Sequence, residues 1–284
     1  MLLPLLLTLA AAATPPIVPG TEMIELGDPA SSTFCLLVHG FAGSRKDFDD
    51  LGERLAAQGC RVRLDRLPGH GTTPEDMEAT TADMLVEHVR AEVREARESH
   101  ERVILVGFSM GGVLSTLVAA EEPVDRLVLI APAYAVTPQW YYFGTAEDWN
   151  RRLAGWVRWV PKTQGTVQVN RKEARPELFA YKKIPTKAVN VLADLGARAR
   201  APEVLGAIAA PTLVLHSPSD FAASQAASAA AFPLLGSAAK RYVTMDPRNN
   251  HHLLKDWNRE QAKAEILGFL APSLPGDGAT APAR

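Results

Sequence analysis

Short apolar runs, each separated from the next by a stretch with helical spacing or a turn, constrain this chain more than any other feature. Phe34-Cys35-Leu36-Leu37-Val38, Arg61-Val62-Arg63-Leu64, Val103-Ile104-Leu105-Val106 and Leu127-Val128-Leu129-Ile130 read as strands. So do Thr212-Leu213-Val214-Leu215 and Arg241-Tyr242-Val243-Thr244. Most are apolar throughout instead of alternating, as a parallel sheet covered on both faces requires. Asp47 to Gln58 places Phe48, Leu51, Leu55 and Ala56 at helical spacing, with Gly59 to stop it. A long amphipathic helix follows from about Thr81 to Ser99, a small-residue helix from Met110 to Ala120, and a closing helix from Asp256 to Leu270. Repeated strand–helix–strand units imply right-handed crossovers and an α/β sandwich with a mostly parallel sheet.

One interval breaks the rhythm. From Ala133 to about Ala210 no buried strand is evident, and four of the five tryptophans fall there (Trp140, Trp149, Trp156, Trp159), beside Tyr141, Tyr142 and Phe143. This reads as a mainly helical insertion, a cap over the C-terminal edge of the sheet. Leu2 to Ala13 is apolar but too short to span a bilayer. It fits either the core of a secretory signal, with Ala11-Ala12-Ala13 as cleavage site, or a disordered or mis-started extension. The compartment therefore stays open between cytoplasm and export. The folded domain is expected over residues 17–271, with a disordered Pro/Gly/Ala-rich tail from Pro272.

Thirty basic and 32 acidic residues give a net charge of −2 with no basic run, so a nucleic-acid or polybasic membrane partner has no electrostatic support. Cys35 and Cys60 cannot make a disulfide scaffold, and both sit in strand-like stretches as core thiols. No CxxC or histidine-rich cluster offers a metal site.

The sharpest chemical signal is Gly107-Phe108-Ser109-Met110-Gly111, between the strand 103–106 and the helix that opens at Met110. Alone, G-x-S-x-G is a weak string; in a strand–turn–helix setting it describes a nucleophile on a sharp bend. Such a turn brings the residues two before and two after the serine so close that a Cβ would collide, and it presents the hydroxyl at the sheet's C-terminal edge. A serine needs a base, and the base an orienting acid. Of the seven histidines, His39 and His70 lie in early loops, His88 and His100 belong to the long helix, and His216 ends a strand as a packed residue. Either His251 or His252, in the loop before the last helix, can reach across the sheet edge. Asp220, just past the strand 212–215, is the candidate acid, with Asp246 as runner-up.

These residues, together with Leu36-Leu37-Val38-His39-Gly40-Phe41, Arg66 to Asp76 and Pro211 to Leu215, resemble the α/β-hydrolases, and among them small bacterial carboxylesterases related to monoacylglycerol lipases. The resemblance covers about Phe34 to Leu270 and includes Asp256, five residues after His251. It implies a serine hydrolase of carboxylic esters with short- to medium-chain acyl groups, working through an acyl-enzyme without metal or organic cofactor. The triad it implies is Ser109, Asp220 and His251, although the doubled histidine departs from the usual single one. A second departure is the small loop residue before Ala223, where valine is usual. The backbone amides of Phe41 and Met110 would form the oxyanion hole, since preorganised N–H groups hold the charge of a tetrahedral intermediate. Trp140, Tyr141 and Trp156 would line an apolar entrance to the site. A monoacylglycerol lipase, thioesterase or acyltransferase with the same triad is the main alternative, and a non-catalytic ligand-binding homologue a further one. The natural ester and the oligomeric state stay open.

Overall fold

The computed structural model describes residues 15–137, 152, 156–161 and 168–274. Trp140, Tyr141, the apolar stretch 2–13 and residues 275–284 lie outside them. Seven strands form one sheet: β1 (Ile24–Leu26), β2 (Thr33–Val38), β3 (Arg61–Leu64), β4 (Arg102–Phe108), β5 (Arg126–Ile130), β8 (Thr212–His216) and β9 (Lys240–Thr244). Their spatial order is β1-β3-β2-β4-β5-β8-β9. All neighbours run parallel except the edge strand β1, which pairs antiparallel to β3. The six expected strands are present. The three-residue β1 carries no apolar run and so gives no signal in the sequence.

Alternate side chains of the central strands feed two cores, one on each face. Leu36, Val38, Leu105 and Leu129 pack with α3 (Ala82–Ser99) and α4 (Met110–Ala119). Cys35, Leu37, Ile104 and Val106 pack with α1 (Leu51–Ala57) and α8 (Arg259–Leu270). Cys35 and Cys60 are both buried free thiols within this second core. Because both faces are covered, β2, β4 and β5 carry a polar side chain only at their first residue, Thr33, Arg102 and Arg126.

Several expected boundaries move. The helix expected over 47–58 is a 3-10 turn, Arg45–Phe48, then α1; Asp49 separates them at φ 55°, its carboxylate held by Lys255 and Lys263. The closing helix starts at Arg259 instead of Asp256, whose carboxylate accepts backbone N–H groups. The tail does not begin at Pro272: Ala271–Ser273 forms a 3-10 turn, and Ser273 and Leu274 are buried. A short helix, α2 (Pro74–Ala79), capped by the Thr73 hydroxyl on Asp76 N–H, adds to the expected elements.

Within 133–210, no described residue joins the main sheet. β6 (Trp159–Pro161) and β7 (Lys183–Pro185) instead pair as an antiparallel ribbon, followed by α5 (Thr186–Ala199) and α6 (Pro202–Ala207). The short α7 (Gln225–Ala231) then connects β8 toward β9. Tyr181 ties the 133–210 segment to the loop after β3, its hydroxyl accepting from Thr72 N–H and donating to Gly69 carbonyl.

Two features of the β2 and β4 ends fix the geometry of the edge. A Cβ on Gly111 would fall 1.9 Å from the Val38 carbonyl oxygen, and one on Gly107 would fall 2.4 Å from that of Gly111. His39, fully buried at the end of β2, accepts Leu67 N–H on Nε2, so Nδ1 carries the proton and donates to the Gly40 carbonyl 2.9 Å away. Burial pushes the His39 pKa down, keeping the ring neutral.

Gly111→Ala must therefore displace backbone, and should cost about 3 kcal/mol or more, read as a lowered urea midpoint or as insoluble protein. For His39, the unfolded chain takes up a proton below about pH 6.5 while the native ring resists it. Its contribution is thus complete above that pH and shrinks on acidification. The stability difference between wild type and His39→Gln should narrow from pH 8 to pH 5, measured by denaturant titration; a constant difference would contradict the assignment. His88, raised by Asp65 despite its burial, works in the opposite direction and cancels in the comparison.

Candidate active site

Ser109 sits between β4 and α4 at φ 55° and ψ −116°, a left-handed conformation that costs an ordinary residue energy. Its N–H donates to the Ile130 carbonyl, and its own carbonyl accepts from Val113 and Ala133 N–H groups, so both flanking peptides are pinned. Ser109 Oγ lies 2.8 Å from His251 Nε2. His251 Nδ1 lies 2.7 Å from Asp220 Oδ2. All three are buried. Three strand ends supply them: β4 the serine, the loop after β8 the aspartate, and the loop after β9 the histidine.

Asp220 is held by more than its partner in this chain. Oδ1 accepts Ala222 and Ala223 N–H at 2.8 Å each, and Oδ2 also accepts from His216 Nε2 at 3.1 Å. Burial alone would raise its pKa, but the facing His251 and His216 rings outweigh that and hold the carboxyl well below the usual carboxylate range. His216 is a packed strand-end residue, as expected, yet it also touches the acid. Its Nδ1 bonds the Ser228 hydroxyl at 2.7 Å, and that hydroxyl reaches Tyr242 at 2.8 Å. The sequence carries no sign of this second imidazole on the carboxylate, because Ser228 and Tyr242 come from separate elements.

The choice between neighbouring histidines is made by backbone direction. His251 faces Ser109, whereas His252 turns toward Asp47. Asp256 holds the histidine loop, accepting Asn250 and Asn170 N–H on Oδ2 and Arg171 and Trp257 N–H on Oδ1. Asp246, the runner-up acid, pairs with Arg248 on the surface instead.

Phe41 and Met110 flank the serine. Met110 is the first residue of α4, where backbone N–H groups have no helical acceptor. Phe41 lies in the turn Gly40–Gly43, closed by a hydrogen bond from Gly43 N–H to the Gly40 carbonyl. That turn abuts Ser109: a Cβ on Gly40 would lie 3.1 Å from Ser109 Cβ.

Ser109 and His251 open into a cavity of about 450 Å³. Phe41, Val136, Val160, Phe179, Ile184 and Leu192 make its apolar wall, and Asp47, Gln168 and His252 a polar one. Trp156 is not part of it: the side chain is 90% exposed, and shorter aliphatic and phenyl groups do the lining. The sequence gives no sign of them, because single apolar residues from separate elements carry no shared periodic signal. Among the described residues only Asp65, His88 and Glu92 cluster at metal-ligand spacing; His88 and Asp65 hydrogen-bond each other and Glu92 pairs with Arg63.

Comparison with known proteins addresses the family and the fold. Residues 29–258 match the family model described as "Serine aminopeptidase, S33". A thermostable monoacylglycerol lipase of Bacillus sp. (strain H-257) is 30% identical over 239 residues, covering 83% of this chain and 89% of that protein. A carboxylesterase of Bacillus subtilis (strain 168) is 26% identical over 187 residues, covering 65% of this chain and 71% of its own length. Among solved structures, a metagenome-derived lipolytic enzyme superposes with a TM-score of 0.77 at 24% identity, covering 90% of this chain and 99% of that one. With four-fifths of its length inside the family model and a mostly parallel sandwich bearing the serine turn, the chain belongs to the serine aminopeptidase S33 family of α/β-hydrolases.

Proposed function

We propose that this protein is a serine hydrolase of carboxylic esters that works through an acyl-enzyme. The observation that carries the reading is the unbroken hydrogen-bond chain from Ser109 Oγ through His251 to Asp220, opening into an apolar-walled cavity. In the first half-reaction the Ser109 oxygen attacks the ester carbonyl carbon while its proton passes to His251 Nε2. The ionised Asp220 stabilises the resulting imidazolium through Nδ1–H. Backbone N–H groups of Phe41 and Met110 take the negative charge on the former carbonyl oxygen. The imidazolium then protonates the departing alkoxide, which leaves as the alcohol. Water repeats the sequence on the acyl-serine, giving its proton to His251 and releasing the acid.

The relatives named a monoacylglycerol lipase and a carboxylesterase support ester cleavage. Substrate size is argued from the wall. An acyl chain lying along Phe41, Phe179, Ile184 and Leu192 gains about 0.8 kcal/mol for each methylene removed from water, roughly fourfold per carbon, until the cavity is full. That supports short- to medium-chain acyl groups. Thioesters and glycerides present the same carbonyl to the same serine, and acyl transfer differs only in the acceptor that replaces water.

Ser109→Ala should lower kcat for p-nitrophenyl butyrate by roughly a thousandfold or more, and Asp220→Asn by a comparable factor, with the thermal midpoint of Ser109→Ala little changed. Turnover surviving in Ser109→Ala would reject the reading. Across p-nitrophenyl esters from acetate to laurate, kcat/KM should rise with chain length and then break; Leu192→Trp should move the break to a shorter chain. An unmoved break would remove Leu192 from the acyl wall.

A further inference from the structure

The Ser109–His251–Asp220 chain leaves a second buried acid and its neighbouring imidazole without a role. Asp47 lies in the 3-10 turn Arg45–Phe48 and is 2% exposed. Its Oδ2 accepts Gly40 N–H at 3.1 Å. The carboxylate fills the space beside Gly43, where a Cβ would fall 2.3 Å from Oδ2. Its Oδ1 faces His252 Nδ1 at 3.8 Å, within ion-pair range. His252 is tethered in turn: its N–H donates to the Gln168 carbonyl, and its ring packs 5.0 Å from Phe108 and 5.6 Å from His251. Both Asp47 and His252 border the cavity that holds Ser109.

We propose that Asp47 and His252 are positioning residues that lock the Gly40–Gly43 turn against the histidine loop and so aim the Phe41 N–H. The inference rests on the ester-hydrolysis reading of the site. The turn needs locking, because Ala42 adopts φ 54° where glycine or asparagine would be comfortable. Phe41 N–H shares a planar trans peptide with the Gly40 carbonyl, so the two point in opposite directions. That carbonyl is held by Gly43 N–H and by His39 Nδ1–H. Asp47 holds the N–H of the preceding peptide. With both peptides of Gly40 fixed, Phe41 N–H cannot swing. The pairing also has an electrostatic reason. A carboxylate under a turn that must receive an anion opposes the charge of the tetrahedral intermediate, and His252 offsets that opposition when it carries a second ring proton.

The test uses the full chain with p-nitrophenyl butyrate, and a trifluoromethyl ketone as mimic of the tetrahedral intermediate. Asp47→Ala should lower kcat about tenfold or more while KM stays within about threefold, because only the intermediate uses the aimed N–H. Affinity for the ketone should fall in parallel with kcat. Asp47→Asn, which keeps an acceptor for Gly40 N–H, should recover part of the loss. His252→Phe should lower kcat by itself, and the Asp47→Asn/His252→Phe double variant should lose less than the product of the single losses, by about fivefold. An Asp47→Ala kcat within about twofold of wild type, a change confined to KM, or single losses that simply multiply would overturn the proposal. If Asp47→Ala does not fold, Asp47→Asn, His252→Phe and their combination complete the same cycle. Failure of the parent reading is separate: it would appear as wild-type turnover in Ser109→Ala, whatever the Asp47 variants do.

Discussion

The catalytic edge depends on backbones lying closer together than side chains permit. The first turn of the helix after Ser109 rests on the last residue of β2, with Gly111 against the Val38 carbonyl and Gly107 against Gly111. That contact sets the distance between the serine and the turn Gly40–Gly43, and hence between a nucleophile and the N–H groups proposed to receive an oxyanion. It also explains why Ser109 tolerates a left-handed backbone: hydrogen bonds to Ile130, Val113 and Ala133 over-determine its place.

Around that contact the protein holds several charged groups out of water, and each is satisfied differently. Asp220 is met by two imidazoles and two backbone N–H groups, Asp256 by four backbone N–H groups. Lys263, 1% exposed, is neutralised by Asp49, Asp50 and Glu260. Replacing either partner in such a set leaves an uncompensated buried charge, which costs more than the contact itself. The polar loops at the sheet edge are therefore rigid for an electrostatic reason as much as a steric one. The bonds from Asp256 to Asn170 and Arg171 carry that rigidity from the histidine loop into the segment that covers the cavity.

Much of this architecture is legible in the amino-acid sequence. The parallel sheet follows from the apolar runs, since a strand buried on both faces has no polar side to show. The serine turn follows from two glycines flanking it by two residues in a strand-to-helix setting. Other features are hidden. The edge strand Ile24–Leu26 is short and only half buried, so nothing distinguishes it from a loop. Trp156 looks like a cavity wall because aromatics favour apolar surroundings, yet its side chain stands in solvent while Ile184, Leu192 and Phe179 line the space.

The amino-acid order alone determined that a serine would sit on a tight bend, with an aspartate and a histidine following in the order this architecture uses. Those are properties of local sequence: residue size at close approaches, apolar patterning, and the side-chain chemistry at each loop. Residue pattern alone left two adjacent histidines open, and only the family resemblance pointed to His251; the physical reason that it meets the serine lies in the fold, because consecutive side chains leave the backbone in different directions and the loop's tethers choose between them. The same holds for His216 on Asp220 and for Asp47 beneath the Gly40–Gly43 turn. Each contact joins residues from different elements, and no spacing along the chain encodes a distance that exists only once the sheet has formed.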